Sequence, residues 1–139
     1  MRAAIRDKLK ALKTPEEKFN ILREYLQSMV LKEVERTGLI KNIAFVGGTA
    51  LRFLYDLKRF SEDLDFSLVH KDNFNFEKVL NDIQNSFGNW NIPVEFKSKT
   101  VGNVVGSFIK FPELMYENGL THRKDQKLFI KLEIDCNPP

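Results

Sequence analysis

Phe45-Val46-Gly47-Gly48-Thr49-Ala50-Leu51, followed by Arg59-Phe60-Ser61-Glu62-Asp63-Leu64-Asp65-Phe66, decides how this chain is read. Two adjacent glycines interrupt one apolar run, and two aspartates separated by one leucine sit inside the next. Successive strand side chains point to opposite faces, so Asp63 and Asp65 share a face while Leu64 and Phe66 turn inward. Paired carboxylates repel, and burying them uncompensated costs several kcal/mol as an order of magnitude, about the scale of an unpaired buried charge. Something cationic belongs between them. Either a basic side chain (Arg59 or Lys58 at a strand edge) supplies the charge, or a metal ion does.

Hard divalent cations take oxygen ligands, and Mg2+ completes its shell with water and substrate phosphates. Two such ions ~4 Å apart can clamp the attacking and leaving oxygens of a phosphoryl-type displacement. The glycine pair fits the same chemistry. Glycines between a strand and a helix let a phosphate approach the backbone, and the helix N-terminus offers unpaired N–H groups. A plain tight turn is the alternative. No Gly-Lys-Ser/Thr follows, so this is not a Walker loop. Far along the chain, Ile130-Lys131-Leu132-Glu133-Ile134-Asp135 alternates strictly, which puts Lys131, Glu133 and Asp135 on one face. That strand supplies either a third carboxylate or a solvated face neutralised by Lys131.

Around this stretch the spacing predicts helices over 3–12, 14–37, 49–57 and 73–87, and strands over 43–46, 63–69, 94–97, 104–111 and 127–135. Thr14, Pro15 and Glu17 form a helix start of capping-box type. Gly38 and Gly88 are placed at helix ends, and residues 112–126 read as a loop. The order is that of an α+β protein, a mixed β-sheet packed by helices, with residues 1–139 forming a single domain.

The bulk properties agree. The 139 residues are 42% hydrophobic and 29% charged, with twelve phenylalanines spread along the chain. That suits one globular domain with a real core. The net charge of +3 leans towards polyanionic partners without requiring them. One cysteine, Cys136, excludes an internal disulfide and fits a reducing cytoplasm. No apolar run reaches membrane-spanning length, and the N-terminus lacks a signal-peptide core. His70 and His122 have no ligand partners at useful spacing and read as surface residues. Trp90 reads as a core plug rather than a stacking platform.

A Gly-Gly turn, an Asp-x-Asp about fifteen residues later and a distant acidic strand resemble the nucleotidyltransferase fold of the polymerase-β type. Taken with Arg59-Phe60-Ser61, the joint motif resembles the AbiEii/AbiGii toxin family of type IV toxin–antitoxin (abortive-infection) systems. The detailed likeness covers residues 45–68 and, more loosely, 131–135. It implies a nucleotidyltransferase-like toxin that uses Mg2+ (or Mn2+) to move a nucleotide from an NTP to a hydroxyl on tRNA or protein, restrained by a cognate antitoxin. It implies nucleotide contacts from Gly47, Gly48, Thr49, Arg59, Ser61 and Lys131. Asp63 and Asp65 become metal ligands and catalytic carboxylates. Glu133 is the expected third carboxylate, with Asp135 the other candidate. Arg59 has an ion pair with Glu62 or Asp63 as its alternative role. Members of that family are usually about twice this length, so the chain is expected to be the N-terminal catalytic part of a longer protein or a minimal form. A nucleotide- or partner-binding module without turnover is the competing expectation. Metal-dependent phosphodiester hydrolysis is a third, but it usually adds histidine ligands.

Overall fold

A computed structural model of the chain describes residues 2–37, 43–46, 63–70 and 74–137. Helix α1 (Arg2–Lys10) turns Ile5 and Leu9 inward and is otherwise largely exposed. Helix α2 (Pro15–Arg36) starts where its chemistry says it should: Thr14 Oγ1 accepts a hydrogen bond from the Glu17 N–H at 3.1 Å, and proline takes the first helical position. Its apolar stripe, Leu22, Leu26, Met29, Val30 and Val34, is buried. The helix ends on Thr37, whose N–H reaches the Glu33 carbonyl at 2.9 Å. Gly38, expected to end it, lies outside the described residues, as does the expected helix over 49–57.

Helix α3 (Phe76–Asn89) starts later than expected because Asn75 is its cap, accepting from the Lys78 N–H at 3.1 Å. It also runs through Gly88 rather than closing there. The reversal falls on Asn91, left-handed at φ 59, with Asn91 N–H bonded to the Gly88 carbonyl and Ile92 N–H to the Phe87 carbonyl. That pair of bonds is a Schellman closure. Asparagine tolerates the left-handed region, and the fully buried Phe87 and Ile92 supply the hydrophobic clasp. Trp90, expected as a core plug, is partly buried and packs against the core, edge-on to Phe87 with ring centroids 5.2 Å apart.

Five strands follow the order β1-β2-β5-β4-β3: β1 (Ile43–Val46), β2 (Asp63–Leu68), β3 (Glu95–Val101), β4 (Val104–Phe111) and β5 (Leu128–Asp135). β2 and β5 run parallel, and the other neighbours are antiparallel. β3 extends to Val101, well beyond the expected 97. It is exposed along nearly its whole length, so no apolar alternation marks its end. A tight turn at Gly102, φ 59, joins β3 to β4.

Alternation splits the sheet into two faces. Leu64, Phe66, Leu128, Ile130, Leu132, Ile134, Ile109 and Phe111 form one core with the apolar sides of the helices. Each fully buried side chain of this kind is worth about 1.5–3 kcal/mol relative to exposure. Among the described residues the other face is left open. Residues 112–126, expected to be a loop, contain the one-turn helix α4 (Leu114–Glu117), which buries Leu114 and Met115. A single turn has no periodicity to read, and the turn is pinned by Arg2 and Arg6, which both bind the Glu117 carboxylate.

Candidate active site

The open face carries the acidic residues. In the parallel pair, Asp63 lies in register with Lys131, Asp65 with Glu133 and Ser67 with Asp135. Neighbouring strands are ~4.8 Å apart, so Asp65 and Glu133 are lateral neighbours although far apart in sequence. Their strands alternate half-buried and buried positions, with Asp63, Asp65, Lys131, Glu133 and Asp135 all half-buried. Val46, the residue before the glycine pair, is in register with Asp65 on its other side. Gly47, Gly48, Thr49, Arg59 and Ser61 lie outside the described residues.

The electrostatics of this row are unbalanced. Burial pushes the Asp65 carboxyl above its ordinary value. The charges of Asp63 and Glu133 and a hydrogen bond shared with Glu133 push it further, with Lys131 offsetting part. Lys131 Nζ lies 2.7 Å from Glu133 Oε1, and this contact and charge, with Asp63 and Asp65 behind it, hold the ammonium above its ordinary value. Lys131 thus offsets part of the charge of this row. Asp135 turns towards the strand end, where its Oδ1 accepts from the Asn137 N–H at 3.0 Å.

Hard oxygen donors on one face are the donor chemistry that Mg2+ or Mn2+ selects. Among the described residues no three His, Cys, Asp or Glu side chains close on a common point. Glu133 in particular is engaged by Lys131. The donor type suits a divalent ion, and Lys131 occupies Glu133 in its place. His70 and His122 are exposed, as expected.

Three features of the site escaped the sequence reading. Gly106 on β4 is in register with Glu133, and a Cβ there would meet Glu133 Cγ and the Leu132 carbonyl oxygen, each at 3.3 Å. A glycine inside an alternating strand was the available signal. Arg23 is only 9% exposed, over the Phe19 ring at 5.0 Å, and lines a cleft of about 560 Å³ with Asp63, Lys127, Lys131, Phe108 and Phe129. Its signal was an arginine four residues after Phe19, on the apolar stripe of α2. Phe108 and Phe129 themselves stand on the open face, 42% and 51% exposed.

Among the described residues no helix is long and apolar enough to cross a membrane. No curated protein matches the chain. Two Helicobacter pylori crystal structures are similar to it. One, described as a candidate nucleotidyltransferase, is 25% identical with a TM-score of 0.58, over 84% of this chain and 44% of that one. The other, JHP933, is 25% identical with a TM-score of 0.53, over 86% of this chain and 46% of that one. The chain therefore spans less than half the length of either. The α+β architecture with its mixed sheet is the fold of these structures. Residues 30–139 match, and the chain accordingly belongs to, the family of the nucleotidyl transferase AbiEii toxin of type IV toxin–antitoxin systems.

Proposed function

We propose that residues 1–139 form a single domain that transfers a nucleotide from an NTP to an acceptor hydroxyl on tRNA or protein. The observation that carries this reading is the in-register placement of Asp65 beside Glu133, with Asp63 on the same face. Asp63, Asp65 and Glu133 would hold Mg2+ or Mn2+, with Asp135 one pleat away as the reserve carboxylate. When bound, the ion supplies charge stabilisation at the phosphoryl oxygens. The acceptor oxygen bonds to the α-phosphorus as the bond to the bridging oxygen breaks, and pyrophosphate departs. Glu133 would either hold the metal ion or draw the proton from the attacking hydroxyl. Lys131, released from Glu133, would face the phosphates, joined by Gly47, Gly48, Thr49, Arg59 and Ser61. Arg23, at the cleft wall, would add a guanidinium fork. Substrates of this kind place the protein in the cytoplasm, and its family membership points to a cognate antitoxin as partner.

A second reading, a module that binds nucleotide or a partner without turnover, is favoured by the Lys131–Glu133 contact, which engages the third carboxylate. The deciding experiment incubates the protein with Mg2+, α-labelled NTPs, RNA and protein acceptors. Label on an acceptor, lost with Asp65→Asn, supports transfer. Triphosphate binding with no label moved, even when the remainder of a full-length relative is added, supports the module.

A further inference from the structure

We infer that the open face of β3, β4 and β5 is a binding surface for single-stranded nucleic acid. Phe108 and Phe129 project from adjacent interior strands, edge-to-face with centroids 6.1 Å apart, and both are substantially exposed. Large apolar rings in such a position mark an interaction site rather than a core. Lysines surround them. Register places Lys97 beside Phe108 and Lys110 beside Phe129. Lys110 Nζ is 5.7 Å from the Phe129 ring centroid. Lys97, Lys99 and Lys110 have no carboxylate within 4.0 Å among the described residues.

Exposed rings interleaved with ammonium groups that make no ion pair among the described residues match a strand of unpaired nucleotides: bases stack on the rings while phosphates meet the lysines. A duplex would hide its base faces from the rings. Lysines also guard sheet edges, and β3 is an edge. That role does not explain Lys110, which sits on an interior strand. Nor does it explain the two rings. An apolar protein segment would cover the rings and leave the lysines without counter-charge. The surface is continuous with the acidic row through a depression of about 330 Å³ lined by Lys97, Lys99, Gly106, Phe108, Lys131 and Glu133. A strand lying on it can therefore point one end at Glu133. Only that orientation rests on the transfer reading, because binding itself needs neither metal nor NTP.

The test measures anisotropy of a fluorescein-labelled single-stranded RNA of about ten nucleotides with the protein in EDTA. Binding is expected, weakening steadily as salt rises. Phe108→Ala with Phe129→Ala should lower affinity roughly tenfold or more, and the two tyrosine replacements should restore it. Lys97→Gln with Lys99→Gln should weaken binding and flatten its salt dependence. Asp65→Asn should bind RNA undiminished while losing label transfer, which separates this surface from the reaction. Thermal melts confirm that each variant is folded. Equal affinity for the blunt duplex of the same sequence overturns the proposal. So does unchanged RNA binding by the alanine pair. If that pair instead alters sedimentation with RNA binding unmoved, the face belongs to a second copy of the chain.

Discussion

Asp65 of β2 and Glu133 of β5 are register partners across a parallel strand pair. Parallel pairing allows two carboxylates from distant segments to stand side by side without a turn joining them. The pair sits on a half-buried face where burial and mutual charge both disfavour ionisation. Such an arrangement stores repulsion that a divalent cation relieves on binding.

Asp65→Asn tests this directly. The Asp65 carboxyl is held above its ordinary value in the folded state, first by burial and then by Asp63 and Glu133. A raised carboxyl favours the fold fully at acid pH and loses that contribution as pH rises through its folded pKa. The variant lacks this loss. In EDTA its melting temperature, relative to wild type, should therefore climb from acid to neutral pH and end level or slightly higher. Mg2+-dependent triphosphate binding should fall by more than about tenfold, read by calorimetry. A marked drop in metal-free stability at neutral pH would instead show that the carboxylate is a structural ion-pair partner.

The sequence made this row legible because strand alternation is strict. Asp63-Leu64-Asp65-Phe66 and Lys131-Leu132-Glu133-Ile134 each announce one wet and one dry face. It could not announce that β5 would insert between β2 and β4, which only the pairing determines. Helix starts at Thr14 and the strand at 43–46 were readable from capping chemistry and apolar runs. The end of β3 was not, since an exposed edge strand needs no apolar pattern. The close of α3 was misread because the residue accepting positive φ was Asn91 and not Gly88. Arg23 and Gly106 were missed for a common reason: each matters through a neighbour from another segment, which local pattern cannot supply.

Ser86→Ala probes the join between α2 and α3. Glu33 is almost fully buried, and its Oε2 accepts from Ser86 Oγ at 2.6 Å and from Arg36 Nε at 2.8 Å. Arg36 also donates to Ser86 Oγ at 3.1 Å. Removing the hydroxyl leaves a buried carboxylate short of one donor, a loss of about 1–3 kcal/mol. Urea unfolding should show a lower midpoint with unchanged slope. A shift too small to resolve would mean that Arg36 alone satisfies Glu33.

Glu117→Gln probes how α1 is held. Burial pushes the Glu117 carboxyl up, but the hydrogen bonds and charges of Arg2 and Arg6 outweigh it and leave it below its ordinary value. A lowered carboxyl contributes stability above its unfolded pKa and loses it as pH falls through the folded one. At neutral pH the variant should be less stable by about 1 kcal/mol, within the range for a partly exposed charged network. The gap to wild type should close on acidification below the ordinary carboxylate range. A gap independent of pH in acid titrations followed by circular dichroism would assign the loss to packing instead.

Gly106→Ala separates space from backbone freedom at the candidate site. Gly106 does not need a left-handed conformation, unlike Gly102 at φ 59. What it provides is room: the new methyl would lie 3.3 Å from Glu133 Cγ and from the Leu132 carbonyl oxygen. The carbonyl belongs to the β4–β5 ladder and resists movement, so the Glu133 side chain must give. Alanine otherwise suits a strand better than glycine, and net stability should change by less than about 1 kcal/mol. Mg2+-dependent triphosphate binding should nonetheless weaken, and Gly106→Val should weaken it further. Gly102→Ala is the control, strained in its turn but with nothing within 4 Å of the added methyl, and it should lower the melting temperature without selectively affecting binding. If Gly106→Ala leaves metal-dependent binding and label transfer at wild-type levels, the exact position of the Glu133 carboxylate is immaterial to both, and its assignment as the third ligand fails.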